Sequence, residues 1–285
     1  MLQVAFQSNP RDFLDRCRAF LEKDEIEHNL ILTLCQNAER KHARGEDADI
    51  RCVILTDSGE FVVAAVQTPP HNLALSKSAR PDIDQLVETL VKNKFTFPGI
   101  VGPSDVTSAF AEKWTELAGQ QPIEYMDQII YSLKSVLLPP PVEGALRFAG
   151  PDDVKIVTEW ISAFSKSSLP KAEQISAKDA KLQAEELVSG GRMAFWAVNG
   201  KPVAQASVSG TDTIARINRV YTPPENRGHG YASAAVAHLS KLQLDQGKEM
   251  CCLYADARNT KANSIYRKIG YEFAGRSSLY VLEKA

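Results

Sequence analysis

Apolar positions along the chain recur first at helical and then at strand spacing. Phe13, Leu14, Cys17, Phe20 and Leu21 fall on one face of a helix, with Asn9 placed to cap it and Pro10 at its first position. Leu30, Ile31, Leu34, Cys35 and Ala38 repeat with the same period. Shorter β-rich runs follow. Residues 51–56 and 61–67 read as strands about the turn Asp57-Ser58-Gly59-Glu60. A short strand at 73–75, a helix from Pro81 to near Lys92, a strand at 97–101, a helix over 104–117 capped by Ser104 and a strand over 129–138 complete this half.

The order then recurs. Pro151 opens a helix with Val154, Val157, Ile161 and Phe164 on one face, and a second helix covers 177–188. Strands at 195–198 and 203–209 flank Asn199-Gly200, a strong two-residue hairpin signal. A third strand spans 214–222, a helix 230–246, a strand 250–255, a helix 261–269 and a last strand 273–282. Both halves read αα-βββ-α-β-α-β, which predicts a structural duplication of α/β class. Pro139-Pro140-Pro141 stiffens the chain between them, so domains are expected at 1–140 and 141–285. A length of 285 residues suits two domains.

Charge and cysteine usage narrow the function classes. The formal charge of -2 makes no electrostatic case for nucleic acid or an anionic membrane as partner. The five cysteines, Cys17, Cys35, Cys52, Cys251 and Cys252, show no C-x-x-C spacing, so neither a disulfide framework nor a metal site is expected. Residues 1–16 lack a basic region followed by an apolar one, and the apolar runs at 30–34 and 61–66 are far short of a spanning helix. A cytoplasmic monomer or homodimer with reduced thiols is the expectation.

The chemistry concentrates after the third strand of the second half. Asn218-Arg219-Val220-Tyr221-Thr222 leads into Pro223-Pro224-Glu225-Asn226, then Arg227-Gly228-His229-Gly230-Tyr231-Ala232 enters an alanine-rich helix. Gly228 and Gly230 permit positive φ and close approach of a ligand. Successive N–H groups at a helix start form an anion site suited to phosphate, and Arg227 adds positive charge. The spacing is not a P-loop, since no Lys-Ser/Thr follows, nor a Rossmann loop, since Ser233 stands at the third glycine position. Further on, Asn259, Asn263 and Tyr266 fall at i, i+4 and i+7 on one helical stripe, with Arg267 beside them and Gly270 as a C-cap signal.

Together these two stretches resemble the GCN5-related N-acetyltransferase (GNAT) superfamily. R-G-H-G-Y-A fits its R/Q-x-x-G-x-G/A pyrophosphate loop, and Asn259, Ala262, Tyr266 and Gly270-Tyr271 fit its second signature, in the family's order. The resemblance covers about 145–285, and the first half lacks both signatures. It implies two acyl-CoA N-acyltransferase-like domains in tandem, each a mixed, mostly antiparallel sheet flanked by helices. It implies acetyl-CoA as co-substrate, with Arg227, Gly228, His229, Gly230, Tyr231 and Ala232 offering N–H groups to its pyrophosphate. Val220, Tyr221 and Thr222 would line the pantetheine arm on a splayed strand. Asn259, Asn263 and Arg267 would reach the pantetheine or phosphate side. Tyr266 would protonate the leaving thiolate after direct attack by a primary amine in a ternary complex. Glu225 and Asp256 are the candidate bases, beside solvent.

Each residue also has a plainer reading. Tyr266 can be a packing aromatic, Glu225 a solvated charge, and His229 a contributor of backbone alone. His238 reads as surface or core, and Cys251, Cys252, Trp160 and Trp196 as core. Residues 165–170 read as a solvated loop or as an edge of the acceptor site. Two rival functions stand beside the acetyltransferase: a non-catalytic acyl-CoA-binding or regulatory protein, and an acyltransferase for longer chains, similar to glycine N-acyltransferases. In the first half the place of the pyrophosphate loop reads Ser76-Lys77-Ser78-Ala79-Arg80-Pro81, without glycine. That half is therefore expected to be degenerate, with Lys77 and Arg80 leaving room only for weak anion binding.

Overall fold

The structure, a computed structural model, describes every residue except Ser8, Pro81, Asp82, Pro170, Ala172, Glu173 and Ala285. The expected helix start at Pro81 and the end of the 165–170 segment lie outside the described residues. Two compact units account for the chain: Met1–Ile130 with Asp256–Arg258 and Ala274–Ala285, and Tyr131–Ala255 with Asn259–Phe273.

The first unit runs β1 (Leu2–Gln7), α1 (Pro10–Leu21), α2 (Glu25–Ala43), β2 (Arg51–Asp57), β3 (Glu60–Gln67), β4 (Leu73–Leu75), α3 (Asp84–Lys92), β5 (Gly99–Pro103), α4 (Ser104–Ala118) and β6 (Gln120–Leu133). The second runs β7 (Ala145–Phe148), α5 (Val154–Ser168), α6 (Ala177–Ser189), β8 (Met193–Val198), β9 (Lys201–Gly210), β10 (Ile214–Tyr221), α7 (Tyr231–Asp245), β11 (Met250–Asp256), α8 (Thr260–Ile269) and β12 (Glu272–Lys284). The element order is the same in both, as the sequence predicted, once β1 and β7 are added at the front of each repeat. Pairing repeats as well. β1 to β4 are successively antiparallel and β4 then runs parallel to β5. Likewise β7 to β10 are successively antiparallel and β10 runs parallel to β11.

The last strands depart from simple repetition. Most of the terminal strand, β12, groups with the first unit, where Ser277–Val281 pairs antiparallel with Gly99–Pro103. Within the second unit the strand beside β11 comes instead from β6, whose residues from Tyr131 onward belong there. Gly99 is needed for the β5–β12 pairing, because a Cβ there would lie 2.1 Å from the Tyr280 carbonyl oxygen.

Local signals explain most elements. Asn9 caps α1, its Oδ1 accepting the Arg11 N–H at 2.9 Å, with Pro10 at the first helical position. Phe13, Leu14, Cys17 and Leu21 of α1 are buried in the core that α1 and α2 form over β2 and β3. The Asn199-Gly200 turn takes φ of 50 and 78, a primed hairpin turn, between β8 and β9. Gly270 ends α8 at φ 102 and the Tyr271 N–H returns to the Tyr266 carbonyl at 3.0 Å.

Four expectations are corrected. In α2 the buried stripe is His28, Ile31, Leu32, Cys35 and Ala38, while Leu30 and Leu34 lie at its margin, because the helix turns His28 inward. Ser104 does not cap α4. Its hydroxyl bonds the Ser278 hydroxyl at 2.9 Å, and Pro103 precedes the helix without a side-chain cap. β6 begins at Gln120 rather than 129, since main-chain pairing holds a stretch whose Pro122, Glu124 and Asp127 read as loop. β1 is an additional strand, its Leu2, Val4 and Phe6 alternation carried at an edge.

His28 is a buried neutral histidine. Its Nδ1 donates to the Leu21 carbonyl at 2.8 Å and its Nε2 accepts the Lys77 N–H at 2.9 Å, so the tautomer is set by its partners. Burial lowers its pKa from the ordinary value, outweighing the opposite pull of the Leu21 hydrogen bond, Asp24 and Glu27, while Lys77 adds to the lowering. The unfolded chain therefore takes up a proton near pH ~6.5 where the folded chain does not, and this site's contribution, whole at neutral pH, is lost as pH falls below that value. Urea unfolding of the full chain should show a midpoint that drops between pH 7 and pH 5, with the His28 imidazole signal titrating below its free value. An imidazole titrating at or above the free value would refute the assignment.

Candidate active site

β10 and β11 open the site. They run parallel and pair only over Ile214–Arg216 with Met250–Cys252, yet β10 continues to Tyr221 and β11 to Asp256. Beyond Arg216 the two strands splay. The cause lies on the other edge of β10, where its register against β9 shifts between Asn218 and Tyr221. Arg219 sits in that bulge at φ 48, a left-handed conformation rare for a residue with a Cβ. Bulges increase twist and re-aim the strand. Val220 and Tyr221 thus lie on a strand segment whose β11 side is unpaired among the described residues.

The strand then meets Pro223-Pro224 and a single 3-10 turn, Pro224–Asn226. Gly228 and Gly230 take φ of 87 and 82, and α7 starts at Tyr231 with no side-chain cap. The first backbone bond of the helix runs from the Ala234 N–H to the Gly230 carbonyl at 3.0 Å. Among the described residues, no backbone acceptor takes the N–H groups from Gly228 to Ser233, which leaves them open to an anion. A Cβ on Gly228 would meet open space, whereas one on Gly230 would meet Val142 Cγ1 at 3.2 Å, and both would be strained by their φ. Arg227 is exposed, and its Nε donates to the Thr222 carbonyl at 3.0 Å, tying the loop to the strand end. The His229 ring is exposed and stacks on Tyr231 at 5.4 Å. Ala232 is partly buried behind it. The loop thus joins N–H groups without a backbone acceptor, the positive charge of Arg227 and a slim helix start, the features a diphosphate would use.

α8 supplies the second group. Asn259 caps it, its Oδ1 accepting the Ala262 N–H at 3.1 Å, which commits that oxygen to the helix. Asn263 and Tyr266 are buried with Ile269 on the inward stripe, and Arg267 is exposed in the last turn. The Tyr266 ring lies 6.2 Å from that of Tyr131 and 6.1 Å from that of Tyr271. Burial, with Tyr131 nearby, pushes its phenol up to about 12. Tyr266 is therefore a neutral O–H donor at every working pH.

The candidate bases differ in environment. Asp256 accepts from the Arg258 N–H at 2.8 Å and from its Nε at 3.1 Å and Nη2 at 3.0 Å. Although burial opposes it, these contacts hold its pKa below the usual carboxylate value. Such a clamped carboxylate is a weak proton acceptor. By its contacts Asp256 belongs with the first unit. Glu225 is exposed in the 3-10 turn. Cys251 and Cys252 are fully buried, like the other three thiols, and burial pushes Cys251 up to about 12, which argues against a nucleophile. Trp160 packs edge-on against Phe195 at 5.6 Å and Trp196 donates Nε1–H to the Glu143 carbonyl at 2.8 Å, while His238 is exposed.

The corresponding place in the first unit is filled. β4 is only three residues long. A Cβ on Gly102 would lie 2.6 Å from the Leu75 carbonyl oxygen, so β4 and β5 do not part there. The N–H groups of Ser76, Lys77, Ala79 and Arg80 are bound by Ala64 O, His28 Nε2, Val62 O and Ser78 Oγ. The expectation of residual positive charge is corrected. Lys77 Nζ pairs with Asp24 and Glu27, each at 3.2 Å, and Arg80 pairs with Asp57.

Residues 191–273 match the family model described as an acetyltransferase (GNAT) domain. The fold of the entire chain is found in solved structures. A Drosophila protein of 15% identity superimposes with a TM-score of 0.71, covering 100% of this chain and 99% of its own. A GCN5-related N-acetyltransferase from Sphaerobacter thermophilus shares 18% identity at a TM-score of 0.61, over 97% of this chain and 94% of its own. A tandem GNAT protein from the clavulanic acid biosynthesis pathway shares 12% identity at 0.54, over 100% of this chain and 98% of its own. No curated protein matches the chain in sequence. The tandem arrangement and the mixed, mostly antiparallel sheets stand as the sequence anticipated. No helix among the described residues is long and apolar enough to cross a membrane.

Proposed function

We propose that the protein transfers the acetyl group of acetyl-CoA to a primary amine, and that the second unit, whose residues 191–273 match the acetyltransferase (GNAT) domain model, does so alone. The observation that carries this reading is the joint geometry of the β10–β11 splay and the open N–H cradle at Gly228–Ser233. The cradle and Arg227 hold the diphosphate, and the thioester arm lies in the splay along Val220–Thr222 as an added strand. Main-chain N–H groups there stabilise the oxyanion that forms when the amine attacks. Tyr266 then donates its proton to the departing thiolate. The amine's own proton passes to solvent or Glu225, because Asp256 is clamped by Arg258.

The test is thiol release from acetyl-CoA by the full chain across a panel of amines. Turnover with at least one amine supports the reading, and none across the panel, despite binding of acetyl-CoA, favours a binding protein instead. The first unit, with committed N–H groups and unparted β4 and β5, is proposed to bind no coenzyme A. Calorimetric titration should give one acetyl-CoA site per chain, and two sites would overturn that proposal.

A further inference from the structure

The two faces of the second unit's sheet differ sharply in polarity. Directly opposed residues on antiparallel strands share a face. The register therefore places Gln205, Ser207, Ser209, Arg216, Asn218 and Tyr221 together. The other face carries Ala204, Ala206, Ala215 and Ile217, all buried. The polar face is the one beside α5 and α6, since Phe195 opposes Gln205 and belongs to the core those helices form. Burying such a polar face is costly unless its groups are hydrogen-bonded.

Several of these groups are not satisfied by the chain itself. Gln205 is fully buried. Its Nε2 faces the Arg219 carbonyl at 3.5 Å, and Oε1 has no partner among the described residues. Arg216 Nε and Thr222 Oγ1 are buried and likewise unpartnered among the described residues. All three atoms lie on β9 or on β10 and its end, at or near the bulge that opens the splay.

The same region is uncompensated in charge. Among the described residues the Arg219 guanidinium donates to neutral oxygens, Asn218 Oδ1 at 3.0 Å and Gln183 Oε1 at 3.2 Å. That of Arg216 lies over the Tyr254 ring at 5.7 Å. Among the described residues neither arginine has a carboxylate within ion-pairing distance, although Arg192 nearby has Glu186 at 2.8 Å. Burial, then repulsion from Arg216 and Arg192, lowers Arg219 to about 10, against the pull of Glu186. Two arginines in one part-buried site with no carboxylate in ion-pairing contact are favoured if a ligand brings the charge.

We infer that the acceptor amine carries an oxyanion, a carboxylate or a phosphate, bound by Arg216 and Arg219, and that an N–H of its amine is received by Gln205 Oε1. This rests on the acetyltransferase reading and gives its acceptor a chemical class. It makes Arg216 and Arg219 specificity determinants on the strand that also borders the thioester slot.

The test uses matched amines with the full chain: alanine against alaninamide, and phosphoethanolamine against ethanolamine, read as thiol release from acetyl-CoA. The anionic member of one pair should have the higher kcat/KM by at least about tenfold, the scale of one hydrogen bond to a charged group. The pair that shows it tells carboxylate from phosphate. In Arg216→Gln and Arg219→Gln that preference should collapse toward unity, while acetyl-CoA affinity by calorimetry reports an intact fold, and Arg216→Lys should restore part of it. Neutral amines turned over as well as anionic ones, or a preference surviving both substitutions, would overturn the inference. If no amine releases thiol, the acetyltransferase reading fails, and calorimetry of alanine against alaninamide and of phosphoethanolamine against ethanolamine on coenzyme A-saturated protein judges the oxyanion site. Tighter binding of the anionic member in either pair upholds it, and equal binding in both overturns it.

Discussion

Tyr266→Phe should lower kcat by about 10²–10⁴-fold, the usual worth of a positioned general acid. Acetyl-CoA affinity should hardly change. The substitution removes only the phenolic oxygen and keeps the ring against Tyr131 and Tyr271, so the packing of α8 survives. A fall in kcat without a change in affinity marks an interaction made in the transition state. With a phenol pushed up to about 12, Tyr266 stays protonated below pH ~10, so any pH dependence of the wild type near neutrality belongs to the amine or its base. Steady-state turnover beside calorimetry makes the measurement. Unchanged kcat would reduce Tyr266 to a packing aromatic.

Arg227→Glu should weaken acetyl-CoA binding by at least about tenfold, since it removes a donor to a charged group and adds like charge beside a diphosphate. The side chain is exposed and hydrogen-bonds the Thr222 carbonyl, so the unfolding midpoint should stay close to that of the wild type. The deficit should narrow as salt rises from 0.05 to 0.5 M, because exposed charges are screened over about a Debye length. Affinity equal to the wild type at low salt would remove the loop from the binding site.

Both experiments concern residues that are legible in the linear sequence, and the reason is local. A diphosphate cradle needs positive φ at fixed places just before a helix, which glycine supplies at Gly228 and Gly230. One face of a short helix needs fixed spacing, which Asn259, Asn263 and Tyr266 show. Caps at Asn9 and Gly270 and the Asn199-Gly200 turn are equally local.

Other features depend on partners distant in sequence. The splay follows from a bulge at Arg219, a residue whose type does not advertise φ 48. Asp256 looks available as a base until Arg258 is seen to clamp it. Lys77 and Arg80 look like free charge until Asp24, Glu27 and Asp57 meet them. β6 reads as loop for half its length because main-chain pairing, rather than side-chain pattern, holds it in the sheet.

By itself the sequence determined the repeated element order, the glycine loop and the tyrosine-bearing helix, because each is specified by residues within a few positions of one another. The tertiary structure alone decided that the last strand joins the first unit, that the N–H groups of Ser76, Lys77, Ala79 and Arg80 in the first unit's loop are committed, and that Arg216 and Gln205 share one polar face beside the bulge at Arg219. Strand register and charge pairing are set by residues far apart in the chain, and only the folded backbone brings them together.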